Sequence, residues 1–449
     1  MTNPDQQSSQ QLAHKASHTI LDQLPQLTQR GLVVDSPPGA GKTTLVVQAA
    51  EALAQTGIPC IVIAQTNSQV DDLVRRLAAS PHNLKIARLT GQDYTLPDDL
   101  LMLPRTRIST RINGLETAHV IIGTAMKWAT VRDRQWPWAI IDEAYQMRSD
   151  VLLLTARLFD KALFVGDPGQ LDPFSTVQTR RWQGLAYDPM SSAVAVLLDK
   201  NPNLPVHTLP VSWRLPPSAI PLISDAFYPF TPFHAGTRDA DRALTFTTAG
   251  IRSPYDPAIE HAAQTGWALM ELPARYTQHT DTEALHTTLG IAERLLTRAT
   301  CVTDETEPQP RPLRPRDIAV GVAHRGQARH LRLLLAQHYP RLQGVTIDTA
   351  NRLQGHEFSV TIVLHPLSGR SDASAFHLEA GRLCVLTTRH RHTCIVVARA
   401  GIAQLLDAHP SNEPEHLGAT TKLPDGWEAN HTVLEHLAQH AVGPGQPWY

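Results

Sequence analysis

Short apolar runs alternate with longer helical stretches in the first half of the chain. The runs occupy residues 31–35, 60–64, 119–123, 138–142 and 162–166. Continuous apolar runs of this length are typical of parallel strands that are buried on both faces. Between the first two runs, an Ala- and Val-rich stretch from Lys42 to Gln55 precedes Gly57 and predicts a helix with a glycine stop. The alternation predicts an open α/β sheet.

A similar rhythm returns in the second half, after a Pro-rich stretch at 201–210 that is typical of a linker. The predicted strands are 318–322, 345–348, 359–364 and 394–397, and the predicted helices lie near 282–298 and 326–338. Residues 304–316 are rich in Pro and Arg and predict a surface loop. The Pro- and Thr-rich stretch 229–280 matches no element that the pattern identifies.

The 449 residues favour two domains over one. The predicted division is an N-terminal segment that is partly disordered and then helical, a first α/β domain, a second α/β domain and a peripheral C-terminal tail. Their boundaries are 1–30, 31–205, 206–410 and 411–449.

Composition and charge narrow the class of protein. Hydrophobic residues make up 42% and charged residues 18%, which argues against wholesale disorder. The net charge of −2 excludes a globally basic coat for nucleic acid but leaves a local basic groove possible. No apolar run reaches the about 18 residues of a membrane span, and the polar N-terminus carries no signal-peptide core. Four scattered cysteines without CxxC spacing predict a reduced, cytoplasmic protein.

The sequence DSPPGAGKTT at 35–44 follows a predicted strand and opens a predicted helix, which is the context of a phosphate-binding P-loop. Backbone N–H groups of such a loop surround phosphate oxygens at a helix N-terminus. Lys42 would reach the β- and γ-phosphates of ATP, and Thr43 would place its hydroxyl on Mg²⁺. Ser36 stands where the usual motif begins with Gly. The residues predicted to bind the nucleotide are Pro38, Gly39, Ala40, Gly41, Lys42, Thr43 and Thr44.

Two adjacent carboxylates end the apolar run in WAIIDEAYQM at 138–147. Successive side chains diverge at a strand end, so that one carboxylate can face a metal and the other the attacking water. Asp142 is the predicted Mg²⁺ ligand. Glu143 is predicted to orient or deprotonate the water.

The segments DEAYQM and GDPGQLDP (166–173) resemble the Walker B motif and motif III of superfamily 1 helicases. The form of motif III resembles the branch that contains the nonsense-mediated-decay helicase, whose known members mostly move 5′ to 3′. The resemblance implies an α/β fold with two RecA-like P-loop NTPase domains, parallel sheets and an ATP cleft between them. It also implies that Gln170 senses the γ-phosphate and couples it to the second domain.

Three further segments resemble helicase motifs in the second half. In SWRLP (212–216), similar to motif IV, the resemblance implies that Arg214 contacts the γ-phosphate and that Trp213 stacks on the base. DTANRLQGHE (348–357) is similar to motif V, and VLTTRHR (385–391) is similar to motif VI. By that likeness Glu357 belongs to the nucleotide site, Arg389 is the arginine finger and Arg391 matches the basic residue that follows it.

The resemblance also implies contacts with the sugar–phosphate backbone of a nucleic-acid strand. These candidates carry a hydroxyl or an amide, and they are Thr66, Asn67, Ser68, Thr124 and Thr349. Arg329, Arg332 and Arg341 form a local basic source on or beside one predicted helix, although an exposed solvated face explains the first two equally well. The family's adenine-reading glutamine has three candidates in this sequence, Gln10, Gln11 and Gln23.

The resemblance therefore implies an ATP- and Mg²⁺-dependent helicase or translocase that acts on single-stranded DNA or RNA, as a monomer and without a membrane. The sequence does not indicate protein partners. One alternative is a nucleic-acid-stimulated ATPase that acts as a switch or remodeller and does not unwind. Another alternative is a nucleotide-gated interaction protein with little hydrolysis, against which the intact Glu143 and the two arginines argue.

Overall fold

The computed structural model describes residues 4–171, 191–248, 251–277, 280–410 and 425–443. They form two compact units. The N-terminal unit contains residues 10–168 and continues through 191–210. The C-terminal unit contains residues 4–9, residues 169–171 and the described chain from 211 onward. Within the described residues, no helix has both the length and the apolar character needed to cross a membrane.

The elements up to residue 210 follow the predicted alternation closely. The helices are α1 (Pro4–Gln23), α2 (Lys42–Gln55), α3 (Asn67–Ala78), α4 (Asp98–Leu101), α5 (Ala125–Trp128), α6 (Ser149–Thr155) and α7 (Ala193–Lys200). The strands are β1 (Gly31–Asp35), β2 (Cys60–Ala64), β3 (Ile86–Leu89), β4 (Thr106–Ser109), β5 (Val120–Thr124), β6 (Trp136–Ile141), β7 (Phe159–Gly166) and β8 (Val206–Thr208). Helix α1 begins at Pro4, within the N-terminal segment that the sequence predicted to be partly disordered and then helical.

The N-terminal unit is built on one sheet with the strand order β4-β3-β5-β2-β6-β7-β1-β8. All of its neighbouring strands are parallel. Alternate residues of β1 enter different cores: Leu32 and Val34 pack with α2 and α3, whereas Val33 packs with residues of α5 to α7. The prediction of parallel strands buried on both faces is therefore confirmed.

The predicted linker at 201–210 is wrong in part, because residues 206–208 form the edge strand β8. Val33 lies opposite Val206, and Asp35 lies opposite Thr208 in parallel register. Val33 N also donates to Pro205 O at 3.0 Å. A proline just before a short edge strand is tolerated because its missing N–H is not needed by the ladder.

The C-terminal unit contains the remaining elements. Its strands are β9 (Val211–Ser212), β10 (His234–Ala235), β11 (Ala243–Phe246), β12 (Trp267–Leu272), β13 (Thr300–Thr303), β14 (Arg311–Pro312), β15 (Ile318–Val322), β16 (Thr346–Thr349), β17 (Phe358–Leu364), β18 (His390–Arg399) and β19 (Ala441–Val442). Its helices are α8 (Ile220–Phe227), α9 (Asp256–Thr265), α10 (Thr282–Thr297), α11 (Arg325–His338), α12 (Ala350–Leu353), α13 (Ala375–Leu378), α14 (Ala380–Thr387), α15 (Ile402–Ala408) and α16 (Gly426–Ala438).

The main sheet of this unit has the order β16-β15-β17-β18-β12-β19, and its neighbouring strands are parallel. The stretch 229–280, which the sequence left without assignment, supplies the interior strand β12 and helix α9 to this layer. It also supplies β11, which joins β13 and β14 in a small antiparallel sheet. The predicted fold class of two RecA-like α/β units is confirmed.

The peripheral tail predicted beyond residue 410 is wrong for residues 426–442. Helix α16 buries Ala429, Val433 and Leu437, each at most 1% exposed, in the core beneath the main sheet. These apolar residues recur every four positions, which is the spacing of one helix face. Strand β19 then pairs with β12. Residues 411–424 and 444–449 lie outside the described chain.

The C-terminal unit contains buried histidines, and we therefore expect its folded state to lose stability in acid. Burial lowers the pKa of His390 to about 3, and that of His365 and His392 to about 4. The pKa of a histidine in the unfolded chain is about 6.5. The stability that these neutral, buried histidines allow is therefore complete above about pH 6.5 and is lost as the pH falls from there toward their lowered pKa values. Each loss reaches about 2 kcal/mol at pH 5.

The urea midpoint of this unit should therefore be clearly lower at pH 5 than at pH 7.5. His390→Leu removes one titrating group and should reduce the difference between the two midpoints. Equal midpoints for the unsubstituted protein at the two pH values would contradict the prediction.

Candidate active site

The loop between β1 and α2 has the backbone conformation of a phosphate cradle. Gly39 and Gly41 have φ of 75° and 89°, a left-handed region that side chains with a Cβ rarely adopt. Gly41 is the residue immediately before α2, so the loop amides converge at the N-terminus of a 14-residue helix. Ser36 is buried and its N–H donates to Gly166 O at 2.8 Å, so a serine fits where the usual motif has glycine.

Lys42 Nζ lies between two carboxylates that follow neighbouring strands of the sheet. It is 3.4 Å from Asp167 Oδ2, which follows β7, and 3.6 Å from Glu143 Oε1, which follows β6. Strands β6, β7 and β1 are adjacent and parallel, so their carboxyl ends meet at one edge. Of the other predicted nucleotide residues, Thr43 is half-buried and Thr44 is exposed.

The two carboxylates after β6 have different environments. Asp142 is 4% exposed, and its Oδ1 accepts from Glu143 N at 2.9 Å. Burial, reinforced by the charge of Glu143, raises the pKa of Asp142 to about 7. Glu143 has φ 50° and ψ 46°, a left-handed conformation that costs about 1–3 kcal/mol for a residue with a side chain. This turn separates the two side chains, and Gln146 Nε2 holds Glu143 Oε2 at 2.9 Å.

The donors at this edge fit a magnesium nucleotide. Mg²⁺ prefers oxygen ligands and usually binds through one or two carboxylates plus substrate phosphates. Asp142 and the Thr43 hydroxyl provide such oxygens. Three carboxylates, Asp142, Glu143 and Asp167, face a single lysine, so a divalent cation would balance the charge.

A glycine and a tyrosine that the sequence reasoning gave no role support this edge. Tyr145 OH donates to Asp35 Oδ1 at 2.6 Å, which ties the turn after β6 to the start of the P-loop. A Cβ at Gly166 would lie 2.8 Å from Tyr145 Cδ2 and 3.0 Å from Ala144 N. Gly166 therefore leaves the space that this turn occupies. Both residues lie inside the quoted motifs, so closer attention to motif positions would have found them.

Gln170 of motif III contacts motif V within the C-terminal unit. Gln354 Nε2 donates to Gln170 Oε1 at 2.8 Å. A Cβ at Gly381 would lie 2.5 Å from Gln170 O, so only glycine allows α14 to approach this closely. The structure thus brings together a glutamine from each of two motifs. Asp172 and Pro173, the last residues of motif III, lie outside the described chain.

The predicted arginines of the C-terminal unit are held by hydrogen bonds. Arg214 Nε donates to Glu357 Oε2 at 3.2 Å, and the Arg214 side chain is 11% exposed. Arg389 is 1% exposed. Its Nε donates to Val385 O at 3.1 Å, and its Nη2 donates to Thr388 Oγ1 at 2.7 Å. The structure therefore pairs Arg214 with Glu357, and it orients Arg389, which follows α14, through hydrogen bonds to the C-terminal end of that helix.

Trp213, the predicted base-stacking residue, packs one face of its indole on Gly236. A Cβ at Gly236 would lie 2.4 Å from Trp213 Cε3 and 2.8 Å from Cδ2. Gly236 N donates to Ser212 O at 2.7 Å, which fixes the glycine beside motif IV. Trp213 is half-buried, so part of the ring stays accessible. Gly236 lies in the stretch 229–280, where the sequence offered no local signal.

If Trp213 stacks on the base as the resemblance implies, Gly236→Ala is expected to weaken nucleotide binding by roughly 10-fold or more, because the new methyl group would displace the indole. The measurement is the dissociation constant of a fluorescent ATP analogue. Gly91→Ala is the matched control, since its added Cβ would meet no atom within 4 Å. Equal affinities for the two variants would exclude Trp213 as the base platform.

The nucleic-acid candidates of the N-terminal unit lie at the ends of neighbouring strands. Thr66 caps α3 by accepting from Gln69 N at 3.3 Å, and its Oγ1 is 3.1 Å from Ser68 Oγ. Both hydroxyl residues are exposed. Asn67 Oδ1 accepts from Arg88 at 3.1 Å. Thr124, at the end of β5 beside β2, caps α5 by accepting from Lys127 N at 3.3 Å.

The remaining candidates are separated from this group in the chain. Thr349 ends β16 in the C-terminal unit and is 5% exposed. Arg332 pairs with Asp348 at 2.8 Å, while Arg329 is exposed.

Among the adenine-reading candidates, Gln23 hydrogen-bonds His207 at 2.7 Å, and Gln10 and Gln11 are exposed on α1.

Two family models match the chain, one in each half. Residues 17–182 match a model described as an AAA domain, and residues 191–401 match a second model with the same description. The first match contains the P-loop and the Walker B segment. The second contains the segments quoted above as motifs IV, V and VI.

Individual proteins also resemble this chain. A stretch of 156 residues is 26% identical to the DNA replication ATP-dependent helicase/nuclease DNA2 of Saccharomyces cerevisiae, and it spans 33% of this chain and 10% of that protein. The arterivirus nonstructural protein 10 helicase matches with a TM-score of 0.43 and 15% identity, over 82% of this chain and 59% of that one. The PRRSV helicase matches with a TM-score of 0.42 and 14% identity, over 97% of this chain and 66% of that one.

Proposed function

Because this chain belongs to the superfamily 1 helicases, we propose that it hydrolyses ATP to move along single-stranded DNA or RNA, in the 5′ to 3′ direction. The observation that carries the proposal is the position of Lys42 Nζ, 3.4 Å from Asp167 and 3.6 Å from Glu143, at the start of a helix preceded by a glycine loop. At the same edge of the sheet, Lys42 would supply a positive charge for the phosphates and Glu143 a carboxylate for the attacking water.

The proposed roles in the N-terminal unit follow from the donors present. Residues 38–44 surround the phosphates, and Lys42 neutralises the β- and γ-phosphate oxygens. Asp142 and Thr43 would hold Mg²⁺, which screens phosphate charge when it is bound. Glu143 orients the attacking water and accepts its proton.

The proposed roles in the C-terminal unit rest on the resemblance and on the contacts described above. Arg214 and Arg389 stabilise the charge that develops on the γ-phosphate, because a guanidinium forks onto two oxygens. Gln170 links the γ-phosphate to Gln354 of motif V. Trp213 stacks on the base, and Glu357 holds Arg214 in place.

The strand is proposed to bind through its sugar–phosphate backbone. Thr66, Asn67, Ser68, Thr124 and Thr349 carry hydroxyl or amide groups that bond phosphates without reading bases. Contacts of this type serve DNA and RNA alike, since discrimination depends on the 2′-hydroxyl. Strand binding should therefore show little sequence preference.

Strand displacement on tailed duplexes tests both movement and direction. Duplexes with a 5′ tail, a 3′ tail or blunt ends are mixed with the protein and ATP, in DNA and RNA versions. The proposal predicts ATP-dependent displacement from the 5′-tailed substrate and none from the blunt one. Displacement only from the 3′-tailed substrate would contradict the direction.

The same assay distinguishes the alternative of a switch or remodeller. In that case single strands would stimulate ATP hydrolysis, but no tailed duplex would be displaced. That result would retain the ATPase and remove the helicase activity from the proposal.

A further inference from the structure

Arg242 uses all five of its guanidinium N–H groups inside the C-terminal unit. Nε donates to Glu305 Oε2 at 2.8 Å, and Nη2 donates to Glu305 Oε1 at 2.7 Å. Nη2 also donates to Trp213 O at 2.7 Å, and Nη1 donates to Arg391 O at 3.0 Å. The fifth hydrogen bond joins Nη1 to the carbonyl oxygen of Arg214. With 3% of its side chain exposed, Arg242 is a buried junction between motif IV and motif VI.

The small antiparallel sheet brings Arg242 and Glu305 together. Arg242 precedes β11, and Glu305 comes two residues after β13. Ala243 lies opposite Thr303 in the β11–β13 ladder, so the two side chains emerge from the same end of the sheet. The two residues are 63 positions apart in sequence.

Glu305 extends the junction to a motif VI side chain. Its Oε1 accepts from Arg391 Nη2 at 2.8 Å, and Arg391 is also 3.7 Å from Asp304. Arg391 Nη1 lies 4.0 Å from Glu357, the partner of Arg214. Glu305 and Glu357 therefore hold the side chains of Arg391 and Arg214. Arg242 holds the backbone carbonyl groups of the same two arginines.

We propose that Arg242 and Glu305 are positioning residues for ATP hydrolysis. They hold the segment 213–214 and the segment 389–391 in a fixed position relative to each other. The inference rests on the proposed function, because it assigns Arg214 and Arg389 to the γ-phosphate. A lysine at position 242 cannot replace the junction, since an ammonium has three donors and no planar fork. Small displacements of such groups cost rate because the transition state needs their geometry.

The experiment compares Arg242→Lys and Glu305→Gln with wild type in kcat, KM and affinity for a fluorescent ATP analogue. Arg242→Lys is expected to lower kcat roughly 10- to 100-fold. Nucleotide affinity should stay close to that of wild type, because Gly236 still supports the Trp213 ring. Glu305→Gln should lower kcat less, since the backbone hydrogen bonds of Arg242 remain.

Arg294→Lys is the matched control. Arg294 also forks onto a buried carboxylate, with Nε 2.7 Å and Nη2 2.8 Å from the two oxygens of Asp256. It donates in addition to Ile251 O, and these partners lie outside the motif segments. This variant should lose a comparable ion pair and keep the kcat of wild type.

The outcomes separate the inference from the function on which it rests. If wild type hydrolyses ATP and Arg242→Lys matches Arg294→Lys in kcat, positioning by Arg242 is excluded while the ATPase stands. If wild type does not hydrolyse ATP, the proposed function fails and this inference fails with it. Should Arg242→Lys unfold, as measured by its thermal transition, Glu305→Gln decides: an unchanged kcat overturns the inference, and a lowered kcat at wild-type nucleotide affinity supports it.

Discussion

ATP hydrolysis by Glu143→Gln is expected to fall roughly 10²- to 10⁴-fold, because the amide cannot accept the proton of the attacking water. Nucleotide binding should persist, since Lys42 and the glycine loop are unchanged. The substitution also removes one of the two carboxylates beside Lys42 Nζ, which leaves Asp167 at 3.4 Å. The measurements are kcat for ATP hydrolysis and the dissociation constant of a fluorescent ATP analogue.

Glu116→Gln is the control for this variant. Glu116 is an exposed carboxylate of the same unit that accepts from Gly114 N and from Arg134. It should hydrolyse ATP like wild type. Near-normal kcat in Glu143→Gln would assign activation of the water to another group.

Arg389→Ala is expected to lower hydrolysis by about 10³-fold or more, in line with other arginine fingers, while nucleotide binding is retained. The loss is expected because, in the proposed site, Arg214 alone would remain to stabilise the charge that develops on the γ-phosphate. Arg389 is 1% exposed and bonds Val385 O and Thr388, so the alanine variant also loses local hydrogen bonds. Its thermal transition must therefore be measured beside kcat.

Two further variants make the result specific. Arg389→Lys keeps the charge without the planar fork, and it too should hydrolyse slowly. Arg275→Ala removes an arginine of the same unit whose side chain is 58% exposed and lies outside the quoted motifs, and it should behave as wild type. A folded Arg389→Ala protein with near-normal turnover would exclude the arginine-finger assignment.

Elements with a strong local signal could be predicted from the sequence. Helix α2 (Lys42–Gln55) and strands β1, β2 and β15 have the predicted boundaries. Each strand is a continuous apolar run, and the helix lies between the P-loop and a glycine at position 57. The sequence also predicted that the P-loop lysine and the acidic pair each follow a buried strand, and the structure brings Lys42 and Glu143 to 3.6 Å of each other.

Elements that depend on distant partners could not be predicted in this way. Strand β8 has three residues and is ordered by its pairing with β1. Arg242 and Glu305 belong to no motif and meet only because β11 and β13 pair. Gly236 matters because of the indole of Trp213 beside it. In each case the signal is a contact between residues far apart in the chain, which one sequence does not reveal.

The most direct test of the proposed function is ATP hydrolysis by wild type and Glu143→Gln, with and without single-stranded DNA or RNA, at low and moderate salt. We expect at least one polymer to stimulate hydrolysis by the wild type strongly and the variant to lose this stimulation. Added salt should weaken the stimulation, because binding to phosphates releases counterions. Turnover that neither polymer changes would contradict a nucleic-acid-driven motor.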